Sequence, residues 1–439
     1  MEKNESKSIN LTQDQKRVLK QIQLFIIKKE KYFRLTGYAG TGKSFLMSQL
    51  VELLKQNNDY HFCLAGPTHK SVKTIKNLIT GNIDIQTLAR LLGKRPAINY
   101  EEGKEVFSQY REVDLSRLDL LIVDEFSMIN KDDFRDLLNA AYQNHFKIIF
   151  VGDAAQLPPV GEKEPIVATY PEITHHAELT KIVRYDGAIA KVAEEIRSNN
   201  QYKQQIYQFK TSEDQSIIVL PQKAWLETAI QHFAAGWSIN PDLARIICWR
   251  NKTVADFNQR IRKARHGNHV PLYIPGDLLI CRKPLFRKPP NVEDWKQYAD
   301  NRSEFLVMKE PQLIEIENLI QYYLIVAQGE DNEEYFLKVL TPESAQQFER
   351  EQQQLKKKAI EAKNAGKKYN HFWFQFYDRL KWYDDIAHAM SITTHSAQGS
   401  SVDTVFLYAH EMRWCEEKQQ ILYTALTRAR KKVYVCQSF

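Results

Sequence analysis

Disulfide chemistry has little to work with in this chain. Its 439 residues include five cysteines, Cys63, Cys248, Cys281, Cys415 and Cys436, an odd number with no Cys-x-x-Cys pair. That argues against a disulfide framework or a zinc site and leaves reduced thiols in a cytoplasmic protein as the expectation. No apolar run approaches the ~20 residues that a membrane-spanning helix needs. Residues 1–10 are polar and lack the apolar stretch of a signal peptide. A soluble chain with no membrane partner is expected. Charge of one sign is scarce too: 61 Lys and Arg against 54 Asp and Glu gives +7, too mild an excess to mark a nucleic-acid partner by itself. No internal repeat of fixed period is present.

What the chain does contain is ordinary globular composition, with 43% hydrophobic and 26% charged residues, at a length that implies two to four domains. Val18, Leu19, Ile22, Phe25 and Ile26 recur at helical spacing. The runs Tyr32–Thr36, Phe62–Ala65, Leu120–Val123 and Ile148–Val151 read as buried strands alternating with helices, hence βαβ units and a parallel sheet. A second such series begins after residue 186, with Ala244–Cys248, Val405–Leu407 and Val433–Val435 as strands. Between them, 276–340 reads as short strands and turns, followed by a charged helix over Gln346–Ala365 and an aromatic segment, His371–Tyr377. This block looks like an insertion in the second α/β unit.

The sharpest local signal is Gly37-Tyr38-Ala39-Gly40-Thr41-Gly42-Lys43-Ser44, between a strand and a helix. Glycines let backbone N–H groups turn inward around phosphates, and the helix N-terminus adds its positive end. Lys43 is expected to reach the β- and γ-phosphates and Ser44 to bind Mg2+. Downstream, the apolar strand Leu120–Val123 ends in Asp124 and Glu125. Asp124 is suited to hold the metal, and Glu125 to polarise an attacking water. These elements define an NTP-hydrolysing site without saying what hydrolysis drives.

The remaining motifs resemble superfamily 1B DNA helicases of the RecD/Dda-like group, over residues 11–430. Leu11-Thr12-x-x-Gln15 resembles a Q motif and Gly66-Pro67-Thr68-His69 motif Ia. Asp124-Glu125-Phe126-Ser127-Met128 resembles motif II, and Gly152-Asp153-Ala154-Ala155-Gln156-Leu157-Pro158-Pro159-Val160 motif III. Glu178-Leu179-Thr180 with Arg184 resembles motif IV. Thr393-Thr394-His395-Ser396-Ala397-Gln398-Gly399-Ser400-Ser401 resembles motif V, and Leu422-Tyr423-Thr424-Ala425-Leu426-Thr427-Arg428-Ala429-Arg430 motif VI. Ser396 stands where the family usually has lysine, and Ala89 where it usually has histidine.

The resemblance implies an α/β fold of two RecA-like P-loop motor domains, 1–185 and 186–275 with 384–439. It also implies a small β-hairpin insertion at about 93–115 and an SH3-like β insertion with an arm at 276–383. ATP and Mg2+ are the implied cofactors. Gln15 reads adenine, and Gly37, Gly40, Thr41, Gly42 and Gly399 join Lys43 and Ser44 around the nucleotide. Gln156 senses the γ-phosphate, while Arg184 and Arg428 act as arginine fingers. Pro67, Thr68, His69, Asn251, Thr394 and His395 contact DNA, with Lys70 a further candidate. Asn99–Phe107 reads as a hairpin turning near Gly103. In the family this hairpin is a pin on which strands part, and Phe107 either stacks on a base there or packs back onto the first domain.

The implied activity is ATP-driven 5′→3′ movement on single-stranded DNA and unwinding at duplex junctions by a monomer, in replication, repair or recombination. A translocase that strips bound proteins with little unwinding, and a hydrolysis-deficient nucleic-acid-binding scaffold, are the alternatives. Intact Lys43, Asp124, Glu125, Gln156 and Arg428 weigh against the scaffold.

Overall fold

The first helix, Gln13–Ile27, begins where Thr12 caps it. The Thr12 hydroxyl accepts from Gln15 N at 3.2 Å, and the Gln15 side-chain oxygen accepts from Thr12 N at 3.0 Å, a reciprocal capping box. Val18, Ile22 and Phe25 form its buried stripe. The computed structural model describes residues 11–56, 60–79, 81, 83–182, 187–234, 242–289, 294–316 and 320–437.

The helix packs on a six-stranded sheet. Its strands and the adjoining hairpin are, in chain order, β1 (Tyr32–Gly37), β2 (Phe62–Gly66), β3 (Ile85–Thr87), β4 (Lys94–Asn99), β5 (Lys104–Gln109), β6 (Leu120–Val123), β7 (Lys147–Gly152) and β8 (His175–Leu179). The sheet order is β3-β2-β6-β7-β1-β8, with every pairing parallel. All four residues of β6 are buried because both faces carry helices. Leu120 and Ile122 join the core beneath Leu46 and Leu50, while Leu121 and Val123 face Phe134 and Leu137 on the other side. The β4–β5 hairpin stands apart as a two-stranded antiparallel ribbon.

A second parallel sheet opens with β9 (Ile217–Leu220) and β10 (Ala244–Cys248). The chain then leaves it for β11 (Leu278–Cys281), β12 (Leu285–Arg287), β13 (Lys296–Ala299), β14 (Glu304–Val307), β15 (Gln312–Ile316), β16 (Ile320–Gly329), β17 (Glu334–Leu340) and β18 (Ile386–His388). It returns through β19 (Ser391–Thr393), β20 (Val402–Tyr408) and β21 (Ala429–Cys436), giving the order β19-β10-β20-β21-β9. Trp225, Phe257 and Phe406 fill that core.

The inserted strands form an antiparallel sheet, β15-β16-β14-β11-β18, with β17 also on β16. β18 closes on β11, so this sheet runs past residue 383, where the sequence placed its end; three residues are too few to show a strand period. Helices Pro342–Asn364 and Asn370–Arg379 project from the sheet as an arm. A buried bidentate pair fixes the insertion to the motor: Arg262 donates to Asp277 at 3.2 and 2.8 Å. Among the described residues no helix is long and apolar enough to cross a membrane, and all five cysteines are free and buried.

Candidate active site

The turn after β1 is shaped by its glycines. Gly40 and Gly42 hold φ +82° and +81°, the left-handed region that side chains avoid. Gly42 leads into the helix Lys43–Leu54. The Lys43 ammonium donates to the carbonyls of Gly37 and Tyr38 at 2.7 and 3.0 Å, so it lies folded over the loop it would share with a phosphate. Thr41 is buried, its hydroxyl donating to Tyr38 O. The Gln15 amide nitrogen donates to Thr41 O at 3.2 Å. That glutamine therefore ties the first helix to the phosphate loop with the same side chain expected to read adenine.

Ser44 and Asp124 line one small cavity. A hydroxyl and a carboxylate are hard oxygen donors of the kind Mg2+ takes, with phosphate and water completing the shell. Burial drives the Asp124 carboxyl pKa upward, Glu125 adds to the rise, and Lys43 opposes it; a divalent cation would supply the missing countercharge. Glu125 occupies φ 54°, ψ 45°, a left-handed conformation costing a non-glycine residue about 1–3 kcal/mol. The residue caps the 3-10 turn Phe126–Met128, so the surrounding structure must offset that cost.

Motif III crosses the cleft. Asp153 is fully buried and accepts from Tyr423 Oη at 2.6 Å and from Ala155 N at 3.0 Å. Tyr423 Oη in turn accepts from Ala39 N of the phosphate loop at 3.2 Å. Leu157 N donates to the Thr424 hydroxyl at 3.2 Å, and the Gln398 amide donates to Leu157 O at 3.0 Å. The phosphate loop and motifs III, V and VI are thus one hydrogen-bonded chain. Gln156 is buried beside it. Arg428 is buried and donates to Thr424 O and Ser400 O at 3.0 and 3.1 Å, which holds its guanidinium within the second domain. Arg184 lies outside the described residues.

Two cleft residues carried no assigned role in the sequence. Tyr423 lay inside motif VI without one. Arg197, at the end of helix Gly187–Ser198, lies 3.7 Å over the Tyr38 ring, pairs with Glu178 at 3.0 Å and approaches Asp153 at 3.9 Å. Burial opposes its charge, but Asp153 and other acidic neighbours outweigh burial and raise its pKa. An arginine at a helix end has no periodic signature that would single it out.

The expected DNA residues divide. His69, Asn251 and His395 line two adjoining cavities of about 630 and 360 Å3 beneath the inserted sheet. His69 pairs with Asp300 at 2.9 Å. Pro67 and Thr68 are partly buried, and the Thr68 hydroxyl caps helix His69–Leu78 by accepting from Ser71 N. Thr394 is a correction: it is fully buried and its hydroxyl donates to Cys248 O at 3.2 Å, so it ties the short helix Thr394–Ala397 to the end of β10 and does not face the groove. Ser396 holds the Thr393 hydroxyl at 3.0 Å.

Phe107 is 60% exposed on β5 and has not packed back onto the first domain. The hairpin tip meets the arm instead. Gly103, at φ +61°, is so close to Trp373 that a Cβ would lie 2.1 Å from the indole. Tyr377 Oη donates to Gly103 O at 3.0 Å, and Lys363 Nζ donates to Glu101 O.

Comparison with known proteins agrees with this arrangement. An AAA domain family matches residues 10–218 and a UvrD-like helicase C-terminal domain matches residues 388–436. The ATP-dependent DNA helicase dda of Enterobacteria phage T4 is 26% identical, the alignment covering 97% of this chain and 99% of that one. In both family models and in this relative the chain resembles the superfamily 1B helicases of the RecD/Dda-like group. An ATP-dependent RecD2 DNA helicase of Deinococcus radiodurans is 34% identical over 30% of this chain and 17% of its own. Among solved structures, a Pif1 helicase from Bacteroides in complex with ADP-AlF3 and ssDNA superposes with TM-score 0.52 at 17% identity, over 97% of this chain and 92% of that one. That likeness concerns the fold, two RecA-like domains with the cleft between them. In this helicase Tyr423 and Asp153 span that cleft.

Proposed function

We propose that this helicase hydrolyses ATP with Mg2+ to move 5′→3′ along single-stranded DNA and to separate duplexes at junctions. The observation that carries the reading is the chain Ala39–Tyr423–Asp153, which makes the nucleotide loop of one motor domain a partner of motif VI in the other. Domain closure and nucleotide binding then share the same bonds. The phage relative named an ATP-dependent DNA helicase covers nearly the whole chain, which supports DNA as the track.

In the proposed cycle Lys43 leaves the loop carbonyls for the γ-phosphate, and Glu125 takes the proton of the attacking water. Ser44 and Asp124 would hold Mg2+, which when bound neutralises charge on the phosphate oxygens. Arg428, and Arg197 over Tyr38, supply cations from the second domain as charge develops. The strand lies in the groove lined by His69, Asn251 and His395. Phe107, exposed on a hairpin braced by Trp373, meets the junction as the wedge.

The test is strand displacement on paired substrates bearing a 5′ or a 3′ single-stranded tail, with ATP and Mg2+. Separation of the 5′-tailed substrate alone is expected. Separation of the 3′-tailed substrate alone would reverse the polarity, and separation of neither, with bound protein roadblocks still removed, would make the chain a translocase.

A further inference from the structure

The two cavities of the groove share a wall. Asn301 and Arg302, in the turn between β13 and β14, line both. The turn therefore projects to the point where the two motor domains and the inserted sheet come together. Arg302 holds φ +69°, and its backbone N–H donates to Cys281 O at 2.9 Å, anchoring the turn to β11. Its guanidinium has no hydrogen bond or ion pair among the described residues, and burial lowers its pKa.

The acids around it are engaged elsewhere. Asp300 pairs with His69 at 2.9 Å, Glu330 with Lys73 at 2.6 Å and Glu304 with Arg245 at 2.5 Å. Asp331 accepts from Tyr335 Oη at 2.7 Å. Lys70, on the wall formed by helix His69–Leu78, also lacks an ion pair among the described residues. Burial lowers its pKa, Glu304 and Glu330 draw it back up, and Arg245 and Arg302 push it down again. His395, on the wall of the second motor domain, is held down by burial and then by Arg302. Two cations and an imidazole, one group from each part of the fold, thus face one groove, and the repulsion between Lys70 and Arg302 in a partly desolvated site is costly. An anion between them would turn that repulsion into attraction.

We propose that Arg302 is a phosphate-binding residue of the inserted sheet, closing with Lys70 and His395 on the backbone of the single strand. The assignment rests on the DNA-translocation reading. A guanidinium suits the place, because its planar fork presents two donors to two phosphate oxygens and it remains charged when partly desolvated. The insertion is then a third gripping element, bridging contacts made by the two motor domains. Contacts of this kind carry no sequence information, as a motor on DNA requires.

The test uses the full chain with Arg302→Gln and Arg302→Lys, both of which can keep the turn's backbone. Binding of fluorescent oligo(dT) and oligo(dA) is measured across a salt series, alongside the thermal unfolding midpoint. Arg302→Gln is expected to weaken both oligonucleotides alike, about tenfold at low salt, the loss of one charged contact. It should also make the log–log salt slope shallower by about 0.7, the share of one single-strand phosphate. Arg302→Lys should restore the slope, and the unfolding midpoints should agree. A Gln variant with the wild-type slope, or a Lys variant that fails to restore it, overturns the assignment while the helicase reading stands. Wild-type protein that binds neither oligonucleotide overturns both.

Discussion

One oxygen atom tests the coupling between the motor domains. In Tyr423→Phe the ring stays, so the packing of this 1% exposed side chain is preserved. What goes is the 2.6 Å bond to Asp153 and the acceptor for Ala39 N. Asp153 is fully buried and, among the described residues, its side chain keeps Ala155 N and the distant Arg197. Losing a hydrogen bond to a buried charge costs about 1.5–3 kcal/mol. The cost falls on the closed arrangement, since on opening water can solvate the carboxylate. At about 1.4 kcal/mol per factor of ten, closure weakens by roughly 10- to 100-fold. If hydrolysis requires the closed cleft, kcat for DNA-stimulated ATP hydrolysis should fall by at least about tenfold, with a smaller change in the KM for ATP. Steady-state phosphate release at saturating oligo(dT) reads this directly. A variant within twofold of wild type in kcat would refute the reasoning and leave the Tyr423–Asp153 contact as packing only.

Glu125→Gln should still bind ATP but release phosphate at least about a hundredfold more slowly, the usual weight of a positioned base; rapid turnover would remove Glu125 from its role. Phe107→Ala should lose strand separation far more than ATP hydrolysis, because base stacking of roughly 1–3 kcal/mol matches the ~1.4 kcal/mol of a base-pair step; equal losses would assign the ring to the fold. Asp277→Asn should cost about 3–5 kcal/mol in chemical denaturation by stranding the buried Arg262. Burial alone would raise the Asp277 pKa, but His388 and Arg262 outweigh it and leave it lowered. Its contribution to stability is therefore full above the unfolded value of about 3.9 and is lost as pH falls through the folded value; urea midpoints that do not drop on acidification below pH 4 would contradict this.

The phosphate loop, the acidic strand end and both parallel sheets were legible in the sequence because each is a local pattern. Glycine spacing, an apolar run ending in two carboxylates, and strands of unbroken burial all lie within a few residues. The contacts that join the domains are not local. Tyr423 and Asp153 are 270 residues apart, and neither position has a spacing that names its partner. Arg197 and Arg302 look like ordinary surface cations until the fold places them. Thr394 shows the opposite failure: a hydroxyl in a DNA-contacting motif looks exposed, yet β10 claims it through Cys248 O. The hairpin turn at Gly103 was readable, but the reason glycine is needed there, the Trp373 indole, sits on an arm far along the chain.

The most direct measurement is strand separation itself. A 5′-tailed DNA duplex carrying a fluorophore and a quencher is mixed with the chain, an excess of trap strand, Mg2+ and either ATP or a non-hydrolysable analogue. Fluorescence should rise with ATP, stay flat with the analogue, and stay flat for Lys43→Ala with either nucleotide. A duplex that remains intact while single-stranded DNA stimulates ATP hydrolysis would contradict the account.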